Sequence, residues 1–482
     1  MEWEKLISTK TLVKREPLPS VWKHYPVNEL AKDYKEIITS IGFRNLQNKA
    51  QVFSLAISGV VRTRLTHSLE VAAIAKQMGN MLADNAKKKT NESKCNRDML
   101  KYTDKFGMIL ECAGLLHDLG NPAFGHFGEA SMGNYFRKLF EDNNFTYKGK
   151  PVGSILDEQM KNDLIHFDGN AQTIHLLLKD TDITNMQRIN VAYSVINTLV
   201  KYPGNSLSID SDSKDIRRHK YGYYKADERL FNQVREDAGV SGISRYPLTY
   251  LLEAADDISY LLSDMQDSLS KTVITPEMIK EEFLHQISEM PQTGSEEYEL
   301  RYMAAENVLK DLTRRIDSAV DTEGKMAAIG RWFDSISDWL VYAAVNSWYN
   351  NYDAIMDGTF TGELLEGTWH SIVIEMIRKL MKSKVYPSKV VLEQELSGHK
   401  MLEIILKRFI PAVLYYDDND EKYKPGHIEK HYLWYIPGYL KDEYMIRKTG
   451  DEVYDLYLRF IMIVDFVSAL TDHEAKKLGE LL

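Results

Sequence analysis

Residues 106–119, FGMILECAGLLHDL, restrict the fold more than any other stretch of this chain. Their largely apolar character leaves no polar face for water, so the segment reads as a helix set deep in a core. Gly120-Asn121-Pro122 then stops it. Proline has no N–H for the helix ladder and pushes its predecessor toward extended backbone. His117 and Asp118 therefore stand at the end of a buried helix, where both side chains project past the apolar part.

Most of the remaining chain repeats at a helical period. Residues 67–84 place Leu69, Ala72, Ala73, Ala75 and Met78 at helical spacings. Residues 246–271, 298–318 and 330–350 read the same way, the last carrying Trp332, Phe333, Leu340 and Trp348. Strand signals are short, at Ser206–Ile209 and Lys389–Leu392. Polar runs at 85–98, 141–151 and 203–219 predict loops, and the Tyr-, Asp- and Pro-rich 415–440 region predicts a surface loop. No repeat of solenoid length is visible. The expected fold is all-α with at most small β elements. A helical catalytic body ends near residue 275 and a helical C-terminal region follows.

Composition narrows the function. With 44% apolar residues in 482, a sizeable core is available. Seventy acidic residues against 60 basic ones leave a net charge of −10, which disfavours a dedicated nucleic-acid coat. A phosphate-rich substrate would need a local basic cluster. Arg62, Arg64, Lys201, Arg217, Arg218 and Lys220 are its candidates, although scattered basic residues are commonly surface groups. Of the two cysteines, Cys95 lies in a polar run and Cys112 in an apolar one, so no disulfide framework is expected. The N-terminus lacks the order of a signal peptide. The nearest approach to a membrane span, 458–470, is interrupted by Asp465. The expected location is the cytoplasm, without membrane association.

Chemistry gathers around His117 and Asp118. Imidazole nitrogen and carboxylate oxygen suit a divalent metal. Upstream, RTRLTHSLE (62–70) puts His67 near a helix start behind two arginines. Downstream, Asp256, Tyr260 and Asp264 fall at i, i+4 and i+8, on one helix face, with Ile258, Leu261, Leu262 and Met265 as apolar anchors. Carboxylates on a core helix need a cation, a ligand or water; a solvated acidic face is the alternative. Together His67, His117, Asp118 and Asp256 would make a mononuclear metal site. After the break, His126 and Glu129 stand at i and i+3. If that segment is helical they face one another, and a carboxylate beside an imidazole fixes its tautomer and raises its pKa. A loop histidine held by a structural glutamate is the plainer reading. Asn170 and Gln172, in Gly169-Asn170-Ala171-Gln172, fit either a site or a helix cap.

These segments resemble, in order along the chain, the HD-domain dGTP triphosphohydrolases. The resemblance runs through FRNLQNKAQVF (43–53), RTRLTHSLEV (62–71), HDLGNPAFGHFGEA (117–130), HFDGNAQT (166–173), LVKYP (199–203), KYGYY (220–224) and PLTYLLEAADDISY (247–260). It implies an all-helical enzyme that cleaves a deoxynucleoside triphosphate at the α-phosphorus, releasing deoxynucleoside and inorganic triphosphate. Residues 1–35 would be an N-terminal segment, 36–275 the HD-type catalytic domain, and 276–482 a helical C-terminal region in the same body or a second lobe. Metal ligands would be His67, His117, Asp118 and Asp256, with His126 and Glu129 as the catalytic pair. Tyr260 would pack on the sugar, with Asp264 and Gln51 toward the 3′-hydroxyl or base. Arg64, Asn170, Lys201 and Lys220 would hold phosphates. Mn or Mg is the expected ion, with Fe, Co or Ni as alternatives, and a homo-oligomer is implied. The chain departs from the family pattern at Gly204, where many relatives carry Trp, and at Thr471-Asp472-His473, where the third residue is usually Arg. The alternative functions are hydrolysis of another nucleotide, or a nucleotide sensor or single-stranded nucleic-acid binder on the same scaffold.

Overall fold

The structure is a computed structural model, which describes residues 1–15, 28–53, 61–88, 94–179, 189–291, 293–418 and 420–482. The helical period carries through: the described residues form twenty-three α-helices and one two-stranded hairpin. The hairpin pairs Thr146–Tyr147 with Lys150–Pro151 inside the stretch expected to be a loop. Lys148 and Gly149 turn it with φ of 49° and 81°, the left-handed values that a two-residue hairpin turn requires.

Several boundaries differ from the sequence reading. The apolar helix is Phe106–Leu116, and His117 to Gly120 form a tight turn. Ser206–Ile209 is not a strand; Ser206–Ser208 is a 3-10 turn whose Leu207 N–H is accepted by the Asn205 side chain. Lys389–Leu392 is not a strand either, but opens the helix Lys389–Val413. Its adjacent valines favour extended backbone only locally, and burial of Leu402, Ile405, Leu406 and Phe409 at helical spacing decides the outcome. The helix Arg64–Lys88 extends into the polar 85–98 run and another starts at Lys94, while residues 89–93 lie outside the described residues. The 415–440 region carries the helix His427–Tyr435 and the start of Gly438–Arg447.

One helix pair places the site. Arg64–Lys88 lies against Phe106–Leu116 nearly backbone to backbone. A Cβ on Gly114 would stand 2.6 Å from Ala72 Cα, and one on Gly79 would stand 2.7 Å from the Gly107 nitrogen. This approach brings the start of the first helix, with His67, beside the turn that follows the second, with His117. Thr249–Ser270 packs against Arg64–Lys88 and adds Asp256.

The apolar interior divides into two cores. The larger joins the N-terminal segment to Arg64–Lys88, Phe106–Leu116, Thr249–Ser270 and the helices up to Val391. The smaller gathers Gly125–Glu141, the later part of Lys389–Val413 and Glu452–Ala469. A buried ionic cluster joins these parts. His175 is fully buried, with Nδ1 2.6 Å from Asp227 and Nε2 3.2 Å from Asp465. Lys179 reaches Glu443 at 2.6 Å and Arg447 reaches Asp227 at 2.6 Å. Three cations thus face three carboxylates. Among the described residues no helix is long and apolar enough to cross a membrane. Both cysteines are free and buried.

Burial opposes a charge on His175, but Asp227 and Asp465 overcome it and raise its pKa to about 9. A histidine raised on folding gives its full stabilisation below its unfolded value, near 6.5, and loses it as pH climbs through the folded one. Melting temperature is therefore expected to fall between pH 6.5 and about 9. A His175→Gln variant should be destabilised by about 3–5 kcal/mol, as for one broken member of a buried ion network, with a flatter dependence over that range. Thermal melts across pH check both.

Candidate active site

Two imidazoles and two carboxylates converge where these helices meet. His117 donates from Nδ1 to the Gly114 carbonyl at 2.8 Å, which leaves Nε2 as the lone-pair atom facing inward. That Nε2 is buried and has no hydrogen-bond partner. Ser259 Oγ lies 3.4 Å from His67 Nδ1, and His67 Nε2 faces the same space. The ligand atoms of His67, His117 and Asp118 lie within 4.8 Å of one another. Asp256 Oδ1 is 3.2 Å from His67 Nε2 and 3.4 Å from His117 Nε2. Two inward lone pairs and two carboxylates, one nitrogen without a partner, fit a divalent cation.

The carboxylates are held ionised and aimed. Burial pushes the Asp118 carboxyl up, but the Arg64 guanidinium at 2.7 Å, with His117 and His67 beside it, holds it down at about 2. Asn121 donates to the other oxygen of Asp118. Lys201 Nζ sits 3.1 Å from Asp256 Oδ2.

His126 and Glu129 are brought together as their spacing predicts. Phe124 and Gly125 adopt left-handed φ of 63° and 58°, and the helix Gly125–Glu141 starts there. A side chain at 125 would also strike Arg64 Nη2, 2.6 Å from the place of its Cβ. His126 Nδ1 is 2.9 Å from Glu129 Oε2, while Glu129 Oε1 accepts the Gly169 N–H at 2.7 Å. The imidazole stays exposed and its Nε2 is free for chemistry. The Glu129 hydrogen bond and charge raise the His126 pKa. Burial opposes ionisation of Glu129, but His126 and Lys220 keep its carboxyl below the usual range.

A cavity of about 340 Å³ lies between His126 and the group of His67, His117, Asp118 and Asp256. Gln51, Arg64, His67, His117, Asp118, His126, Asn170, Lys201, Lys220, Asp256 and Tyr260 all line it. Glu129 stands behind His126. Asp264, buried, is one layer back, 3.4 Å from the hydroxyl of Tyr386, which is itself 3.1 Å from the Tyr260 hydroxyl. Three of the basic candidates are elsewhere. Arg62 is held by Glu70 and Asp267, Arg217 by Asp215, and Arg218 lies near Asp215. Each satisfies a carboxylate outside the cavity wall. The helix cap at 169 is Asp168, which accepts the Asn170 N–H, so neither Asn170 nor Gln172 caps; Gln172 is buried on Asp465.

The HD domain family matches residues 64–173, a span that holds His67, His117, Asp118, His126, Glu129 and Asn170. Across its full length the chain is 36% identical to a deoxyguanosinetriphosphate triphosphohydrolase-like protein of Listeria innocua, covering 99% of that relative. A deoxyguanosinetriphosphate triphosphohydrolase of Yersinia enterocolitica is 28% identical over 91% of this chain and 90% of its own. One from Yersinia pestis is 27% identical over the same shares. The chain belongs to this family of HD-domain hydrolases.

Other lining groups of this HD hydrolase escaped the sequence reading. Asn121, Tyr202 and Asp257 lie inside quoted motifs, next to residues already singled out. Burial raises the Asp257 carboxyl to about 7 although Arg378 is 3.0 Å away. Tyr386, Gln394 and Glu395 come from the region without motifs, where a helical period alone marks no residue for a site.

The His126–Glu129 pair sets a pH test. His126 should titrate above its ordinary 6.5, and Glu129→Gln should bring its midpoint down. The histidine's share of the pair's stabilisation is complete below about pH 6.5 and fades as pH rises through the folded value; the glutamate's is present above about pH 4.3 and fades as pH falls. Proton NMR of the His126 ring in both proteins checks this, and identical midpoints would contradict the pairing.

Proposed function

We propose that this HD hydrolase is metal-dependent and cleaves dGTP at the α-phosphorus to deoxyguanosine and inorganic triphosphate. One observation carries the reading. Two inward imidazoles, two carboxylates, a His–Glu pair and three cations surround a single cavity.

In this reading His67, His117, Asp118 and Asp256 hold the ion, Mn or Mg. A divalent ion bound there supplies neutralisation of phosphoryl charge and lowers the pKa of its water. The chain's own residues do the rest. Arg64, Lys201 and Lys220 sit on Asp118, Asp256 and Asp168, so each cation is balanced before substrate arrives. A triphosphate offers them oxygens of the same charge, and Asn170 adds an amide donor. These contacts fix the α-phosphorus for in-line attack by water. His126, oriented at Nδ1 by Glu129, moves a proton at Nε2 as water attacks. Positioning and charge neutralisation supply most of the acceleration. The aromatic face of Tyr260, one helical turn from Asp256, walls the sugar, and its ring lies 6.5 Å from that of His67. A wall there excludes a 2′-hydroxyl. Gln51 lies toward the sugar and base side, with Asp264 behind Tyr386.

Purified protein incubated with each dNTP and Mn or Mg, followed by chromatography of both products, tests the proposal. Deoxyguanosine with intact triphosphate is expected, whereas orthophosphate or pyrophosphate would assign another nucleotide reaction, and binding without turnover a sensor. Asp118→Ala and His126→Ala should each cut triphosphate release by at least about 100-fold, with circular dichroism unchanged. Full turnover in both variants would reject the site.

A further inference from the structure

The turn between Asp118 and His126 is shaped by residues far from it in sequence. Lys49 is 3% exposed, and its ammonium donates to the carbonyls of Asn121 and Ser468, both at 2.6 Å. Asp472, also 3% exposed, accepts the Phe124 N–H on one oxygen and the Ala50 N–H on the other, both at 3.0 Å. Asp472 begins the last helix, Asp472–Leu481, whose Thr471 and Glu474 form a reciprocal cap. The Lys49 carbonyl accepts the Arg64 N–H at 2.8 Å, and Ala50 bridges Thr63. Lys49 therefore touches both the start of the His67 helix and the loop that carries Asp118 and His126, while Asp472 ties that loop to Ala50.

Phe124 gives this contact its meaning. Its left-handed φ of 63° is unfavourable for a side chain with a Cβ and persists only where surroundings impose it. Its N–H is taken by Asp472, and its ring lies on Gly398, where a Cβ would come within 2.5 Å of Phe124 Cγ. A relaxed Phe124 would turn Gly125 and move His126, the second residue of the following helix. Asn121, tied by Lys49, is the residue whose amide aims Asp118.

We infer that Lys49 and Asp472 are positioning residues of the catalytic centre. Through them the end of the helix Glu452–Ala469 and the start of the last helix hold the loop between Asp118 and His126 in its working shape. Neither touches the cavity, so both act through backbone groups at Asn121 and Phe124. The role rests on the proposed reaction, and it makes the C-terminal helix part of the catalytic apparatus.

A matched control is at hand. Asp455 is likewise buried and accepts two backbone N–H groups, from Thr449 at 2.8 Å and Gly450 at 2.9 Å, without contacting the site. In the full-length chain, Asp472→Ala should lower kcat for dGTP by at least about 10-fold with KM within about threefold, the signature of displaced reacting groups. Lys49→Met should behave alike, and Asp472→Asn, which keeps a carbonyl acceptor, should recover part of the loss. Asp455→Ala should lower the melting temperature and leave kcat unchanged well below it. The Cε1–H NMR signal of His126 should move in Asp472→Ala and Asp472→Asn, but not in Asp455→Ala. Unaltered kcat in the Asp472 variants, or an equal loss in Asp455→Ala, would overturn the inference. If Asp472→Ala does not fold, Asp472→Asn decides by the same readings. If wild-type protein leaves dGTP intact, the proposed reaction falls, and the His126 signal alone decides the positioning role.

Discussion

Everything at this site depends on the pairing of Arg64 with Asp118. Asp118 stands just past the end of an apolar helix, with its side chain almost wholly withdrawn from water. A carboxylate there would take up a proton unless a cation faced it. Arg64 faces it at 2.7 Å from the first turn of the neighbouring helix, and is itself 4% exposed. That first turn also carries His67. The ion pair therefore sets the charge of Asp118 and its placement relative to His67. Lys201 on Asp256 and Lys220 on Asp168 repeat the arrangement around the same cavity. This is how a chain of net charge −10 gathers positive charge around one cavity: its cations are few, Arg64 buried and Lys201 and Lys220 half-buried, and each is held beside an acid.

What the sequence disclosed about this site follows from how local its geometry is. His126 and Glu129 sit three apart, and a single helical turn forces them together. Asp256 and Tyr260 share a face for the same reason. The apolar 106–116 run could only be a core helix, and the Gly-Asn-Pro break could only end it. The convergence of His67, His117 and Asp256 was legible through the family resemblance, because no spacing rule links residues so far apart in the chain.

The illegible parts share a cause as well. Arg62, Arg217 and Arg218 look on paper like phosphate-binding residues, but whether an arginine faces a cavity or a carboxylate depends on the acids brought near it. Arg62 meets Asp267 across 205 residues of sequence. Likewise Val390 and Val391 suggested a strand, yet the helix that contains them is decided by apolar residues further along it, from Leu402 to Phe409. The wall formed by Tyr386, Gln394 and Glu395 had no signature for that reason: a turn residue and two ordinary helix residues become a wall only when tertiary packing turns them toward the cavity.

A comparison of two buried histidines shows what separates a site from a structural network. His175 and His117 each lie among acids, and in each case three side chains are close enough to share an ion. Around His175 both ring nitrogens face carboxylates, and Lys179 and Arg447 balance the remaining charge. Such a cluster is complete, and its effect is to pin the C-terminal helices to the body. Around His117 one ring nitrogen is spent on a backbone carbonyl, while the other points into the cavity without a hydrogen-bond partner. An unmet lone pair beside ionised carboxylates favours a bound cation. The distinction rests on which atoms are left without partners, not on the types of residue present, and two clusters of nearly the same composition come out on opposite sides of it.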